Sequence, residues 1–156
     1  MKHTMLCFLL KDDRVLLAMK KRGFGAGKWN GIGGKLKEKE TLEAATVREV
    51  KEEIGVIITT GDLEKVGVLS FRFKDHSDWE QDCFVFTVRH WQGEPKESEE
   101  MRPQWYTTNN LPFQKMWIDD PHWLPLVLAG KKIKGEFLFD HAGSTMINFN
   151  VSEVLP

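Results

Sequence analysis

Three carboxylates, Glu49, Glu52 and Glu53, stand at i, i+3 and i+4, with Arg48 just ahead of them. In a helix turning about 100° per residue they fall within roughly 100° of arc, with the small Ala45 among them. Val47, Val50 and Ile54 fall within about 60° on a different face and form a stripe suited to burial. Like charges so placed repel, by about 0.2–0.5 kcal/mol per exposed pair, and a helix built for stability alone would intersperse lysines. A hard divalent cation reverses the sign of that interaction, because Mg²⁺ takes oxygen ligands, carboxylates alongside substrate phosphates. From the helix alone, a solvated acidic face and a cation-holding face are equally good readings.

The elements that must position these groups can be read around them. Thr41 is a suitable N-cap, the helix runs to Glu53, and Gly55 stops it. Upstream, Gly23 to Gly34 holds six glycines in twelve residues, a loop system or a strand approached closely by something. Met5–Leu10 and Val15–Met19 read as strands joined in a hairpin, as do Ile133–Phe139 and Thr145–Val151 around Asp140–Ser144. Lys65–Phe73 and Cys83–His90 read as strands, Lys74–Asp82 as a polar connection and Gln92–Pro103 as an acidic loop. Asp120-Pro121 opens a second helix, with Asp120 as cap and Pro121 at the first position, running to about Ala129, where Gly130 ends it, despite Pro125. The sum is α+β, a mixed and largely antiparallel sheet with two helices.

Composition bounds the function. A chain of 156 residues can bury about 70% of its unfolded surface, enough for a sizeable core. Twenty-two Lys and Arg against 23 Asp and Glu leave a net charge of −1, which argues against a general grip on nucleic acid or an anionic membrane. Six apolar residues near the start are too few for a signal peptide, and Cys7 and Cys83 lie in apolar runs as buried free thiols of a reducing compartment. The expectation is one cytoplasmic domain over 1–156. The five histidines show no ligand spacing, and Trp29, Trp105 and Trp123 read as packing residues.

Gly34, five residues, Glu40, seven residues, then Arg48-Glu49-Val50-Lys51-Glu52-Glu53-Ile54-Gly55-Val56 matches the Nudix box (34–56) at every defining position. The sequence therefore resembles the Nudix hydrolases. The resemblance implies a Nudix α/β/α sandwich with a box helix and a C-terminal helix, and hydrolysis of a nucleoside diphosphate linked to another moiety. It implies Mg²⁺ (or Mn²⁺) on Glu49, Glu52, Glu53 and the Gly33 carbonyl, with Arg48 orienting a glutamate. Glu52, Glu53 and the distant Glu100 are all candidates for the base, and Glu100 for a further metal ligand.

Outside the box, the stretch Val15–Gly31, Glu99–Pro103 and Pro112–Asp120 resemble the 8-oxo-dGTP diphosphatase branch of that family. On that likeness Asn30, Asp119 and Asp120 contact the base edge, and Trp117 and Phe71 pack near its ring faces. Lys20, Gly33, Gly34 and Lys35 border the nucleotide, and Phe24 helps line the pocket. Two adjacent buried carboxylates cannot both ionise cheaply, so one stays protonated as a donor, and a proton moving within the pair would admit 8-oxo-dGTP and 2-hydroxy-dATP alike. The sequence departs from the branch at Met5, where a polar threonine is expected, at Ile32 in place of Phe, and over Lys74–Asp82. The expected product is the monophosphate with pyrophosphate, made by a monomer. The other readings are a Nudix hydrolase of ADP-ribose or a dinucleoside polyphosphate, and a non-catalytic nucleotide sensor.

Overall fold

The computed structural model describes residues 2–155. Along the chain run β1 (Lys2–Lys11), β2 (Arg14–Lys20), β3 (Trp29–Asn30), β4 (Ile32–Lys35), α1 (Leu42–Ile54), β5 (Leu63–Phe73) and β6 (Gln81–Val88). They are followed by β7 (Met101–Thr107), α2 (Asp120–Leu128), β8 (Ile133–Phe139) and β9 (Met146–Glu153). The sheet order is β3-β2-β1-β6-β5-β8-β9, with β4 also on β1 and β7 also on β2. β1 with β6 and β5 with β8 are parallel, and the other pairings are antiparallel.

Strand periodicity makes the layers. Along β1, Met5, Cys7 and Leu9 pack into one core with Ala45, Val50 and Ile54 of α1. Phe8 and Leu10, with Leu6 at the margin, pack into the other with Trp123, Leu124 and Val127 of α2. A strand apolar on both faces belongs between two helical layers. This is the expected α/β/α sandwich with a mixed sheet.

The box helix forms as the sequence predicts. Thr41 Oγ1 accepts the Ala44 amide at 3.1 Å, and Gly55 at φ 71° closes the helix by donating its amide to the Lys51 carbonyl. Cys7 and Cys83 are free and buried.

The glycine-rich run takes both forms the sequence allowed, a loop over 21–28 and the short, closely approached strands β3 and β4. Three expectations change. The segment expected as an acidic loop over Gln92–Pro103 pairs Gln92 with Ile57 and enters β7 at Met101, because β2 offers its open edge from Arg14 to Lys20. The closing hairpin's second strand begins at Met146 and extends to Glu153. Asp120 is the first residue of α2 rather than its cap, and Asp119, which precedes it, makes no capping bond.

Candidate active site

β1 and β4 set the position of the carboxylate face of α1. In their register Met5 lies opposite Gly34 and Leu6 opposite Gly33. A Cβ on Gly34 would lie 2.5 Å from the Glu49 carboxyl carbon, and one on Gly33 would lie 1.9 Å from the Met5 carbonyl oxygen. Only glycines let the helix and the strand approach so closely. The carboxylate face is therefore turned into the protein at Glu49 and Glu53, while Glu52 stays exposed.

Arg48 ties the face together. Its Nε and Nη2 donate to both oxygens of Glu40 (2.8 and 3.0 Å), and Nη1 donates to Glu49 Oε1 (2.7 Å) and Glu52 Oε2 (3.3 Å). The guanidinium fork suits this task, and the bonds to Glu40 and then Glu49 hold its pKa above the ordinary value. Glu53 receives no such partner. Burial, and then the charge of Glu49, push its carboxyl up to about 8, and its Oε2 is buried with no hydrogen bond. Lys20 acts in the opposite direction on Glu53 and also helps to keep Glu100 low.

A second polar centre lies under α2. Asp119 and Asp120 are both buried, and Trp123 Nε1 donates to Asp119 Oδ2 at 2.9 Å. Burial raises both carboxyls; Asp119 raises Asp120 further, so that Asp120 stands well above its ordinary value. Among the described residues Asp120 Oδ2 has no hydrogen-bond partner. Next to the pair, Trp117 is stacked on Phe24 at 5.4 Å between ring centroids, and the Lys28 ammonium sits 5.2 Å from the Trp117 ring. Gly25, at φ 83°, lets the loop backbone lie directly on that indole.

The chain of residues 2–127 matches the sequence pattern of the NUDIX domain. It belongs to the Nudix family. An oxidized purine nucleoside triphosphate hydrolase of Mus musculus is 46% identical over 96% of this chain and 93% of its own. One of Danio rerio is 47% identical over 88% of this chain and 86% of its own. A mutator MutT protein of Bacillus halodurans has the same fold, with TM-score 0.82 and 24% identity, covering 97% of this chain and 98% of that one. The chain is thus a Nudix hydrolase, and Nudix hydrolases use a divalent metal ion.

Of the site residues expected from sequence, the structure brings Glu49, Glu53, Arg48, Gly33 and Gly34 together, with Lys20 close enough to act on Glu53. It brings Phe24 to Trp117 and Asp119 to Asp120. Glu100 instead accepts from Arg22 Nε at 2.9 Å, and Phe71 stacks on Phe137 at 5.5 Å. Asn30 turns its side chain to the Gly31 amide (2.8 Å), and Lys35 is exposed at the end of β4. Met5, in place of the expected threonine, is buried on the α1 side and brings no hydroxyl.

The residues fit a divalent cation by donor chemistry, since the hard carboxylate of Glu49 acts on Glu53, whose Oε2 is buried and, among the described residues, unpartnered. Among the described residues no three acidic, His or Cys groups converge to metal-holding distance, because Glu52 is turned toward Arg48.

Sequence reading missed two contributors. Trp123 was counted as packing, yet its indole holds Asp119; the signal was its i+4 spacing from Asp119 on a helix. Lys28, the cation nearest Trp117 and a counter-charge for Asp120, had no local signal.

Proposed function

We propose that this protein hydrolyses oxidised purine nucleoside triphosphates, 8-oxo-dGTP and 2-hydroxy-dATP, to the monophosphate and pyrophosphate with Mg²⁺, as one cytoplasmic, monomeric domain over 1–156. The observation that carries the substrate reading is the buried Asp119–Asp120 pair beside Trp117. One carboxyl keeps a proton and donates while its neighbour accepts, which matches the mixed donor and acceptor edge of an oxidised purine. Trp117 and Phe24 supply an aromatic platform, worth about 1–3 kcal/mol per stacked base. The names of the mouse and zebrafish relatives point the same way.

Glu49, Glu52, Glu53 and the Gly33 carbonyl would hold the cation, which when bound supplies charge neutralisation at the phosphates and lowers the pKa of water. Arg48 fixes Glu49 and Glu52 in direction. Lys20 faces the phosphate charge from the end of β2. Glu52 or Glu53 takes the proton from the attacking water, and Glu100 joins them only by leaving Arg22. Asn30, Asp119 and Asp120 read the base, with Phe71 walling the pocket, and Gly34 and Lys35 border the phosphates.

The test is pyrophosphate release from 8-oxo-dGTP, 2-hydroxy-dATP and dGTP, and AMP formation from ADP-ribose, with Mg²⁺ and with chelator, for the wild type, Glu53→Gln, Asp119→Asn and Asp120→Asn. Turnover of the oxidised nucleotides well above dGTP, lost in Glu53→Gln, is the expected result, with the two Asp variants each shifting the ratio of the oxidised substrates. ADP-ribose hydrolysis instead keeps the metal helix and overturns the assignment of the base pocket. No metal-dependent turnover of any of them leaves a nucleotide sensor.

A further inference from the structure

The α2 side of the sheet changes character toward one end. Leu6 and Phe8 on β1, Cys83 and Val85 on β6, and Leu69 and Phe71 on β5 form an apolar floor beneath α2. Strand alternation puts Thr4 on the face of Leu6, and Gln81 on the face of Cys83. The registers agree, since Thr4 lies opposite Cys83, and Gln81 opposite Phe71. The floor thus ends in two neutral polar side chains on adjacent strands, both half-buried, with the Thr4 hydroxyl donating to Gln81 Oε1 at 3.0 Å.

This pair is close to the aspartates. Cys83, opposite Thr4 in the register of β1 and β6, has its thiol raised by burial and further by the charges of Asp119 and Asp120 from the α2 layer. Cys83 thus neighbours Thr4 across the sheet and feels the charge of both carboxylates. Among the described residues Thr4 is the hydrogen-bond partner of the Gln81 carboxamide, which leaves its N–H donors for a ligand. Phe71, opposite Gln81, is the residue that the proposed function makes a wall of the base pocket.

We propose that Thr4 and Gln81 form a second, uncharged reader of the purine, which sets the preference among modified bases alongside Asp119 and Asp120. This rests on the oxidised-purine reading above. A carboxamide held by a hydroxyl offers a fixed donor to a ring carbonyl and does not change charge with pH. It discriminates by leaving a buried polar group unpaired when the wrong base is bound.

The experiment compares kcat and KM for 8-oxo-dGTP, 2-hydroxy-dATP and dGTP in the wild type, Gln81→Met, Thr4→Val and Thr4→Ser, with Tm for each. The expected result is a change of about fivefold or more in the kcat/KM ratio of the two oxidised substrates in Gln81→Met and Thr4→Val, carried mainly by KM. Thr4→Ser, which keeps the hydroxyl, returns the wild-type ratio. A merely structural pair would lower Tm and all three activities together and leave the ratio unchanged. An unchanged ratio in an active Gln81→Met or Thr4→Val overturns the second reader while the function stands. A wild type that hydrolyses neither oxidised nucleotide overturns both.

Discussion

Substituting alanine at two adjacent glycines separates the chemistry of the site from its scaffold. In Gly34→Ala the new methyl would lie 2.5 Å from both the carboxyl carbon and Oε1 of Glu49. Ordinary carbon contacts begin near 3.5 Å, so the carboxylate must retreat by about 1 Å. What moves is the end of a side chain, so overpacking costs about 1 kcal/mol, the low end of its range, and lowers Tm by about 2–4 °C. Glu49 cannot retreat and keep its 2.7 Å bond to Arg48, so its aim at a bound cation is lost. Misplacement on this scale costs about 100-fold in turnover. Gly33→Ala is different in kind, because its methyl would lie 1.9 Å from a backbone oxygen of β1. Relief requires the strands to part over Thr4–Cys7 and Ile32–Lys35, which at roughly 1 kcal/mol per bond removes about 4 kcal/mol of stability. Pyrophosphate release from 8-oxo-dGTP titrated with Mg²⁺, with Tm measured in parallel, distinguishes the two. A folded Gly34→Ala that keeps turnover within threefold of wild type, at unchanged Mg²⁺ dependence, would refute the placement of Glu49 at the metal.

Two further outcomes follow from the charged clusters. Arg48→Gln removes the cation shared by Glu40, Glu49 and Glu52, so Tm without metal should fall by several degrees and recover in part on adding Mg²⁺; a metal-independent loss would mean Arg48 only packs. Asp119 and Asp120 have carboxyls raised by folding, so the folded state holds more protons than the unfolded one, and stability falls as pH rises from the ordinary carboxylate range through the folded values. Asp120→Asn should flatten that fall in a Tm series from pH 5 to 9, and equal slopes in variant and wild type would count against a shared proton.

The box helix was legible because every signal for it is local. Its cap, its stop, its apolar stripe and its three carboxylates all lie within one segment, and the structure keeps them. The strands with a dense apolar period, β1, β2, β5, β6 and β8, were legible for the same reason. What sequence could not give was long-range pairing. β7 forms because β2 presents an open edge, so a segment carrying Glu97, Glu99 and Glu100 before the strand and Pro103 within it still reads as a loop on local grounds. The glycines of β4 read as a loop or as a closely approached strand, and sequence could not say what approaches, because Glu49 and the Met5 carbonyl lie on other elements.

The two halves of the site differ in this respect for a physical reason. A cation is held by several like groups, and a helix supplies them at i, i+3 and i+4, so the constellation is written along one stretch of chain. A base is read by unlike groups arriving from different directions, in the proposed function Trp117, Asp119 and Asp120 beside α2, Phe24 and Lys28 from the 21–28 loop, and Thr4 and Gln81 from neighbouring strands. None of these is distinctive alone. Asp119-Asp120 on its own reads as a helix start, which it is, and only burial and the missing cap bond show that the two carboxyls are not there to cap it. Asp119 instead accepts an indole N–H in the interior, and Asp120 keeps an oxygen with no partner at all. A protein does not keep a buried, unsatisfied carboxyl for stability, since its desolvation works against folding. The retained penalty makes sense at a place where a ligand completes the hydrogen bonds.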